Sequence, residues 1–285
     1  GVIWVDVVQM FIYIGGALVS AIFLLSILPE GWTTVVNAAS ADNKFNFINL
    51  GFENGIGGFF SQPYTLIGGL LGGAFLSMAS HGTDQLIVQR LLSTESLNKA
   101  KKAIIGSGVI VIFQFIVFLI LGVMLYAYYG ETGYKSDEIF PLFIINELPV
   151  GLTGIIIAGL FAAAMSTLAG SMSSLASSTM MDLYLPFKGA GLDESKKLRV
   201  SRLFTIMWAF MLVGSAVFFM ESPKAVVELA LSIASFTYGG LLGTFLLGLI
   251  NKKSTQEDAL AGFVAGIFIM ITVIALNLVA WTWFT

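Results

Sequence analysis

The sequence predicts an all-α polytopic membrane protein, and three observations carry that prediction. Of the 285 residues, 57% are hydrophobic and 11% are charged, whereas soluble domains are about 45–50% apolar and about 25% charged. The apolar residues form seven runs, each long enough for a helix to cross a bilayer. The Lys and Arg residues between these runs are distributed unevenly. A soluble fold of this size would need far more charge to cover its surface.

The seven predicted spans follow one another along a single domain. They cover residues 3–28, 64–90, 103–129, 150–184, 202–220, 225–250 and 259–283. We expect residues 1–285 to form one transmembrane domain. Because the chain begins at Gly1 inside an apolar run, without Met or a signal peptide, we also expect it to be an internal piece of a longer protein.

The connection between the first two spans, residues 29–62, is long for a structureless loop, so we expect a short helix in it. The sequence "SQPY" at its end predicts the start of the next helix, with Ser61 as the cap and Pro63 in the first turn.

Charge gives the orientation. If the loop after the first span lies outside, the inside segments hold eleven Lys and Arg residues and the outside segments hold three. Positive charge accumulates in cytoplasmic loops. The sequence therefore predicts a multi-pass protein of the cell (inner or plasma) membrane with a cytoplasmic N-terminus and an external C-terminus.

Several function classes lack their residues in this sequence. With no Cys and one His, disulfides and a transition-metal site are not expected. No GxSxG, HExxH or P-loop motif is present, and no basic patch is interleaved with aromatic residues. We therefore predict neither an enzyme nor a nucleic-acid partner.

Polar residues inside the spans are candidate sites, because polar groups are costly in hydrocarbon. The first is Asp6, which is either hydrated at the interface or faces the bundle interior as a cation ligand or proton carrier. The second is "SMASHGTDQLIVQR", residues 77–90, where Gly82 weakens the helix. Either the span ends near Ser80, or the helix is broken around a cavity. The broken helix is favoured because residues 64–80 are few for a crossing.

The third candidate is a hydroxyl-rich segment in which eight of the fifteen residues 165–179 are Ser or Thr. Small residues recur at helical spacing, at Ala163, Ser166, Gly170, Ser173 and Ser177. They either allow close helix packing or present hydroxyls to a hard cation such as Na⁺, which prefers oxygen ligands.

The fourth candidate is "LSIASFTYGGLLG", residues 231–243. Gly239 and Gly240 predict a bend or an unwound turn. Ser235 and Tyr238 then either face a cavity or lie at a packing kink.

Four stretches in this order resemble the sodium/solute symporter family, which includes the sodium/glucose cotransporters and bacterial proline and sialic acid symporters. They are "GVIWVDVVQ" (1–9), "TDQLIVQRLLS" (83–93), "AGLFAAAMSTLAGSMSSLASSTMMDLY" (158–184) and "SFTYGGLLGTFLLGLINKK" (235–253). The resemblance implies a LeuT-type fold of two inverted five-helix repeats. The chain would supply the fifth to eleventh core helices, and the first four would be absent.

The resemblance also implies a function. The protein would be a sodium-coupled secondary-active symporter that imports a small polar solute, such as a sugar, organic acid or amino acid. Sodium is the coupling ion, no cofactor is implied, and the partners are the solute, sodium and the lipid bilayer. The sequence leaves the oligomeric state open. The alternative is a membrane sensor in which a transporter-like fold is linked to a signalling domain.

Residue by residue, the resemblance implies a sodium site formed by the Ala163 carbonyl and the hydroxyls of Ser166 and Thr167. Some family members bind a second sodium at an Asp that matches Asp6. Two of the hydroxyls that complete that second site fall on Ala169 and Gly170 here, so we expect one sodium per cycle.

The resemblance leaves the solute open. Sugar-transporting relatives carry an aromatic gate on the sixth helix, where this chain has Ser80. The candidate residues for the substrate cavity are Ser77, Ser80, His81, Asp84, Gln85, Ser235 and Tyr238.

Overall fold

All regular secondary structure is helical in the computed structural model, which describes residues 2–53, 55–188, 191 and 193–284. The side chains of residues 2, 3, 56, 85, 86 and 89 are outside this description. The α-helices are α1 (Val2–Ile27), α2 (Trp32–Ala41), α3 (Gly55–Ser61), α4 (Leu66–Gly82), α5 (Gln85–Leu92), α6 (Leu97–Tyr129), α7 (Ser136–Asn146), α8 (Val150–Ser178), α9 (Leu185–Lys188), α10 (Glu194–Phe219), α11 (Val226–Ile250) and α12 (Gln256–Ala275). A π-helical segment, Thr179–Tyr184, joins α8 to α9, and a 3₁₀ turn covers Trp281–Trp283.

Six helical segments in the described part of the chain are long and apolar enough to cross a membrane: α1, α6, α8 with its continuation to Lys188, α10, α11 and α12. The chain is therefore an all-α polytopic membrane protein, as predicted. The second predicted span contains α4, of 17 residues, and then α5. Residues Thr83 and Asp84 interrupt the helix between them. This interruption fits both a helix broken around a cavity and a span that ends near Ser80, so the choice between the two stays a prediction.

Two predicted features of the last spans are wrong. The seventh span does not continue as a helix to residue 283, because α12 ends at Ala275. Asn277 adopts a left-handed backbone with φ of 48°, and the Leu278 N–H donates to the Val273 carbonyl at 3.1 Å, which closes the helix. Of the bend or unwound turn predicted at Gly239–Gly240, the unwound turn is also absent, since α11 is continuous there.

The long connection after α1 contains α2 and α3, which confirms the predicted helix, but the predicted start of the next helix is wrong. Ser61 is the last residue of α3. The Thr65 hydroxyl caps α4 instead, accepting the Gly68 N–H at 3.1 Å.

The chain forms two compact units. The first contains residues 1–39 and 113–223. Its core is built from α1, α6, α7 and α8 around the fully buried side chains of Leu24, Leu121 and Phe143. Helix α8 packs on α1, and α10 packs on α8.

The second unit contains residues 40–112 and 224–285, and α11 packs there on both α4 and α12. A Cβ atom on Gly240 would lie 3.0 Å from the ring of Phe263, so this glycine allows α12 to approach α11. At Gly72 the Thr282 carbonyl lies where a Cβ atom would stand. Gly72 and Gly240 thus serve close packing.

Candidate functional site

The predicted sodium ligands lie in the middle of α8 in the first unit. Ala163 and Ser166 are half-buried and Thr167 is exposed. Ala163 and Thr167 are four residues apart, and Ser166 lies between them, so the three share one helical turn. The Ser166 Oγ donates to the Asp6 Oδ1 at 3.2 Å. The structure therefore brings the predicted sodium-site serine and the predicted second-site carboxylate together.

Two glycines at the contact of α1 and α8 allow this bond to form. A Cβ atom on Gly159 would lie 2.3 Å from the Ile12 Cγ2, and one on Gly16 would lie 3.0 Å from the Ile156 Cγ1. Each glycine receives an isoleucine of the other helix. The two backbones therefore approach closely along this contact, about two helical turns from the polar pair.

The hydroxyl-rich segment divides into parts with different surroundings. Gly170 has no atom within 4 Å of a Cβ position, so its smallness serves no packing contact among the described residues. Ala169 is exposed as well. Further along, the Thr179 Oγ1 donates to the Leu175 carbonyl at 2.7 Å and accepts the Trp208 Nε1–H at 2.9 Å. The end of the segment is thus tied to α10.

Gln9 is a polar residue that sequence reasoning missed. It is 8% exposed and lies one helical turn from Asp6, on the same face of α1. The spacing of Asp6, Gln9 and Tyr13 at three and four residues was the available signal. The Tyr13 hydroxyl extends this polar line, since it donates to the Gln114 Oε1 at 3.3 Å.

The second polar cluster surrounds the break between α4 and α5 in the second unit. The Thr83 N–H and hydroxyl both donate to the Ala79 carbonyl, at 2.8 and 2.7 Å, and so close α4. Asp84 directly precedes α5, and its carbonyl accepts the Val88 N–H at 2.9 Å. The Asp84 Oδ2 accepts the Tyr238 hydroxyl of α11 at 2.7 Å. Both of these side chains are half-buried.

The other predicted cavity residues that the structure describes lie in two different environments. Ser77, Ser80 and His81 interact within the last turn of α4: the His81 Nδ1 lies 2.8 Å from the Ser80 Oγ and 3.0 Å from the Ser77 carbonyl. Ser235 is fully buried, and its hydroxyl has no hydrogen-bond partner among the described residues. The side chain of Gln85 lies outside the described part of the structure.

A cavity of about 840 Å³ lies elsewhere in the second unit, near the N-terminal end of α11. Its lining includes Lys224, Glu228 and Trp281, and none of the predicted substrate residues. The Tyr64 hydroxyl donates to the Glu228 Oε2 at 3.1 Å, so the carboxylate at this cavity is already held by the chain itself.

Comparison with known proteins gives a consistent family. The sequence model of the sodium:solute symporter family matches residues 1–266. A sodium/sialic acid symporter of Proteus mirabilis is 27% identical, with 95% of this chain and 55% of that protein aligned. A sodium/sialic acid symporter of Aliivibrio fischeri is 27% identical over 94% of this chain and 53% of its own length. Human sodium-coupled monocarboxylate transporter 1 is 28% identical, with 95% of this chain and 45% of that protein aligned. The chain spans about half the length of these curated relatives.

Proposed function

We propose a function from one premise, that this chain belongs to the sodium:solute symporter family. The protein of which it forms part or all is a sodium-coupled secondary-active symporter that imports a small polar solute. The observation that carries the proposal is the bond between Ser166 and Asp6, because it fixes a hydroxyl and a carboxylate in the apolar setting where a cation binds.

Sodium binds at the Ala163 carbonyl and the hydroxyls of Ser166 and Thr167. Because the Ser166 hydroxyl donates a hydrogen bond to Asp6, both lone pairs of its oxygen remain available to the ion. Asp6 thus acts as a positioning residue for the sodium site, and its negative charge further stabilises the bound cation.

One sodium is carried per cycle. A separate ion at Asp6 would need several oxygen ligands, and Ala169 and Gly170 offer no side-chain oxygen. The Asp6 carboxylate is also engaged by Ser166, which belongs to the first site.

The solute binds beside the break between α4 and α5. Asp84 and Tyr238 form one polar side of this solute site. His81, Ser77 and Ser80 present further hydrogen-bonding groups. A broken helix supports this placement, since unpaired backbone groups within a membrane are tolerated where they face protein or a cavity. The solute is a sugar, organic acid or amino acid, and the named relatives transport sialic acid and monocarboxylates.

Transport follows alternating access in a LeuT-type fold. Sodium binds the outward-open state more tightly than the inward-open state, and this difference in affinity couples the ion to the solute. The membrane potential contributes about 2.3 kcal/mol per charge per 100 mV. The N-terminus of the chain is cytoplasmic and the C-terminus is outside, which follows the excess of Lys and Arg in the inner segments.

Uptake into proteoliposomes tests the proposal. The full-length protein is reconstituted and offered labelled sugars, organic acids and amino acids under an inward sodium gradient or an equal potassium gradient. We expect accumulation of one solute class with sodium only. Accumulation that is equal in the two gradients, or conversion of a solute without transport, contradicts the proposal.

A further inference from the structure

Helix α10 has two opposite faces with different surroundings. One face packs inside the first unit: the ring of Phe204 meets that of Tyr184 edge-on at 5.7 Å, and the Trp208 indole N–H donates to the Thr179 hydroxyl at 2.9 Å. Residues 204 and 208 are one turn apart and define the direction of this face.

The opposite face is an exposed apolar stripe at spacings of three and four residues, as on one side of a helix. It consists of Leu203, Ile206, Phe210, Val213 and Val217. Their exposed fractions are 64, 53, 75, 62 and 63%. The stripe covers most of a membrane crossing, because 14 residues of helix rise about 21 Å.

The same stripe becomes basic at the N-terminal end of α10. Lys196 and Arg199 continue its spacing, and Arg202 borders it. All three are exposed, and within the described part of the chain no carboxylate lies within ion-pair distance of them. The nearby Lys197 differs, because it is paired with Glu194 at 2.7 Å.

The local charges do not explain three unpaired cations here. Cations near a helix N-terminus are disfavoured by the helix dipole. Asp193 lies at the cap and stays ionised, since a hydrogen bond from Ser195 lowers its pKa. Asp193 and Glu194 together still leave the segment 193–202 with an excess of positive charge. An external anion at this end of the stripe would offset the excess.

We propose that this face of α10 binds an anionic phospholipid, with its phosphate held by Lys196, Arg199 and Arg202 and an acyl chain along Leu203, Ile206 and Phe210. A phosphate at the membrane surface joined to a hydrocarbon chain matches the order of basic and apolar residues along the stripe. Under the orientation proposed above, the lipid belongs to the cytoplasmic leaflet, whose anionic headgroups attract basic segments next to membrane helices.

Lipid binding to the purified full-length protein tests the site. The protein is titrated with phosphatidylglycerol or with phosphatidylcholine of the same acyl chains, and bound lipid is counted by native mass spectrometry. Each basic residue near the surface is worth about fivefold in affinity. We therefore expect R199Q/R202Q to weaken phosphatidylglycerol binding roughly 25-fold and to leave phosphatidylcholine unchanged.

The matched control is K252Q/K253Q, which removes two exposed basic residues that follow α11 and lie off the stripe. It should weaken phosphatidylglycerol binding clearly less than R199Q/R202Q does and leave phosphatidylcholine binding unchanged. A third variant, I206S/F210S, should weaken the binding of both lipids, since it removes only apolar contacts. Equal losses in R199Q/R202Q and K252Q/K253Q would indicate general attraction to the surface and overturn the site. So would displacement of phosphatidylglycerol by millimolar inorganic phosphate, which would indicate a free-anion site. If R199Q/R202Q elutes as aggregate, the single variants R199Q and R202Q carry the same test, each with a loss of about fivefold expected.

Discussion

The Ser166 hydroxyl on α8 donates to the Asp6 carboxylate on α1 at 3.2 Å, across 160 positions of sequence. The same contact between the two helices includes Gly159, about two helical turns from Ser166, where an isoleucine of α1 takes the space of a side chain. Any change that moves α1 relative to α8 therefore changes the surroundings of the proposed sodium ligands.

Removing a proposed sodium ligand should weaken activation by sodium. Ser166→Ala or Thr167→Ala deletes one oxygen, and we expect the half-activating sodium concentration to rise about tenfold or more, the equivalent of ~1.4 kcal/mol. The measurement is initial uptake by the full-length protein against sodium concentration. Ser173→Ala is the matched control, because Ser173 is an exposed hydroxyl of the same helix outside the proposed site. Unchanged sodium activation in both site variants would disprove the assignment.

Asp6→Asn should change affinity without changing stoichiometry. The neutral amide removes the charge that stabilises the bound ion, so we expect weaker sodium activation and a sodium:solute ratio of one in both proteins. The ratio is read from the membrane potential at which net solute flux vanishes in proteoliposomes. A ratio of two in the wild type that falls to one in Asp6→Asn would instead assign a second ion to Asp6.

The helices could be predicted from the sequence because the bilayer fixes their length and composition. The end of α12 could not be predicted, since the residues from Leu276 to Phe284 are mostly apolar and therefore favour a longer membrane-spanning helix. There the backbone of Asn277 decides the boundary. Gly240 was misread for a related reason: its role is set by Phe263 of another helix, and local sequence does not show which neighbour a glycine meets.

The site residues were predictable as polar groups in apolar spans, but their pairing was not. Ser166 was assigned to the first sodium site and, with Asp6, was what remained of a second, but the direct bond between the two side chains depends on the packing of α1 on α8. Asp84 and Tyr238 were both placed at a substrate cavity, and their mutual bond depends on how α11 lies against the break after α4. Gln9 was missed because one amide in an apolar run carries little signal on its own.

The bond between Tyr238 and Asp84 should stabilise the broken segment. Tyr238→Phe removes a hydroxyl that donates to a carboxylate, and such bonds contribute about 1.5–3 kcal/mol. Since both groups are only half-buried, we expect a loss near ~1 kcal/mol. The measurement is thermal unfolding of the purified protein.

Tyr134→Phe is the control for this change, because Tyr134 is 57% exposed in a loop. A double-mutant cycle with Asp84→Ala isolates the pair, because alanine leaves no acceptor for the Tyr238 hydroxyl. Additive effects of the two substitutions would mean that the bond contributes nothing in solution.

The close approach of α1 and α8 can be tested at Gly159. A Cβ atom there would lie 2.3 Å from the Cγ2 of Ile12, a stiff β-branched side chain. Overpacking typically costs about 1–3 kcal/mol, so Gly159→Ala should lower the unfolding temperature and also weaken sodium activation by displacing Asp6 from Ser166.

Gly170→Ala, on the same helix with open space around it, should be neutral or stabilise by about 0.5–1 kcal/mol. Ile12→Ala should partly restore the Gly159→Ala protein, since it vacates the space that the new methyl group needs. If Gly159→Ala and Gly170→Ala unfold at the same temperature, the two helices do not meet at Gly159 in the folded protein.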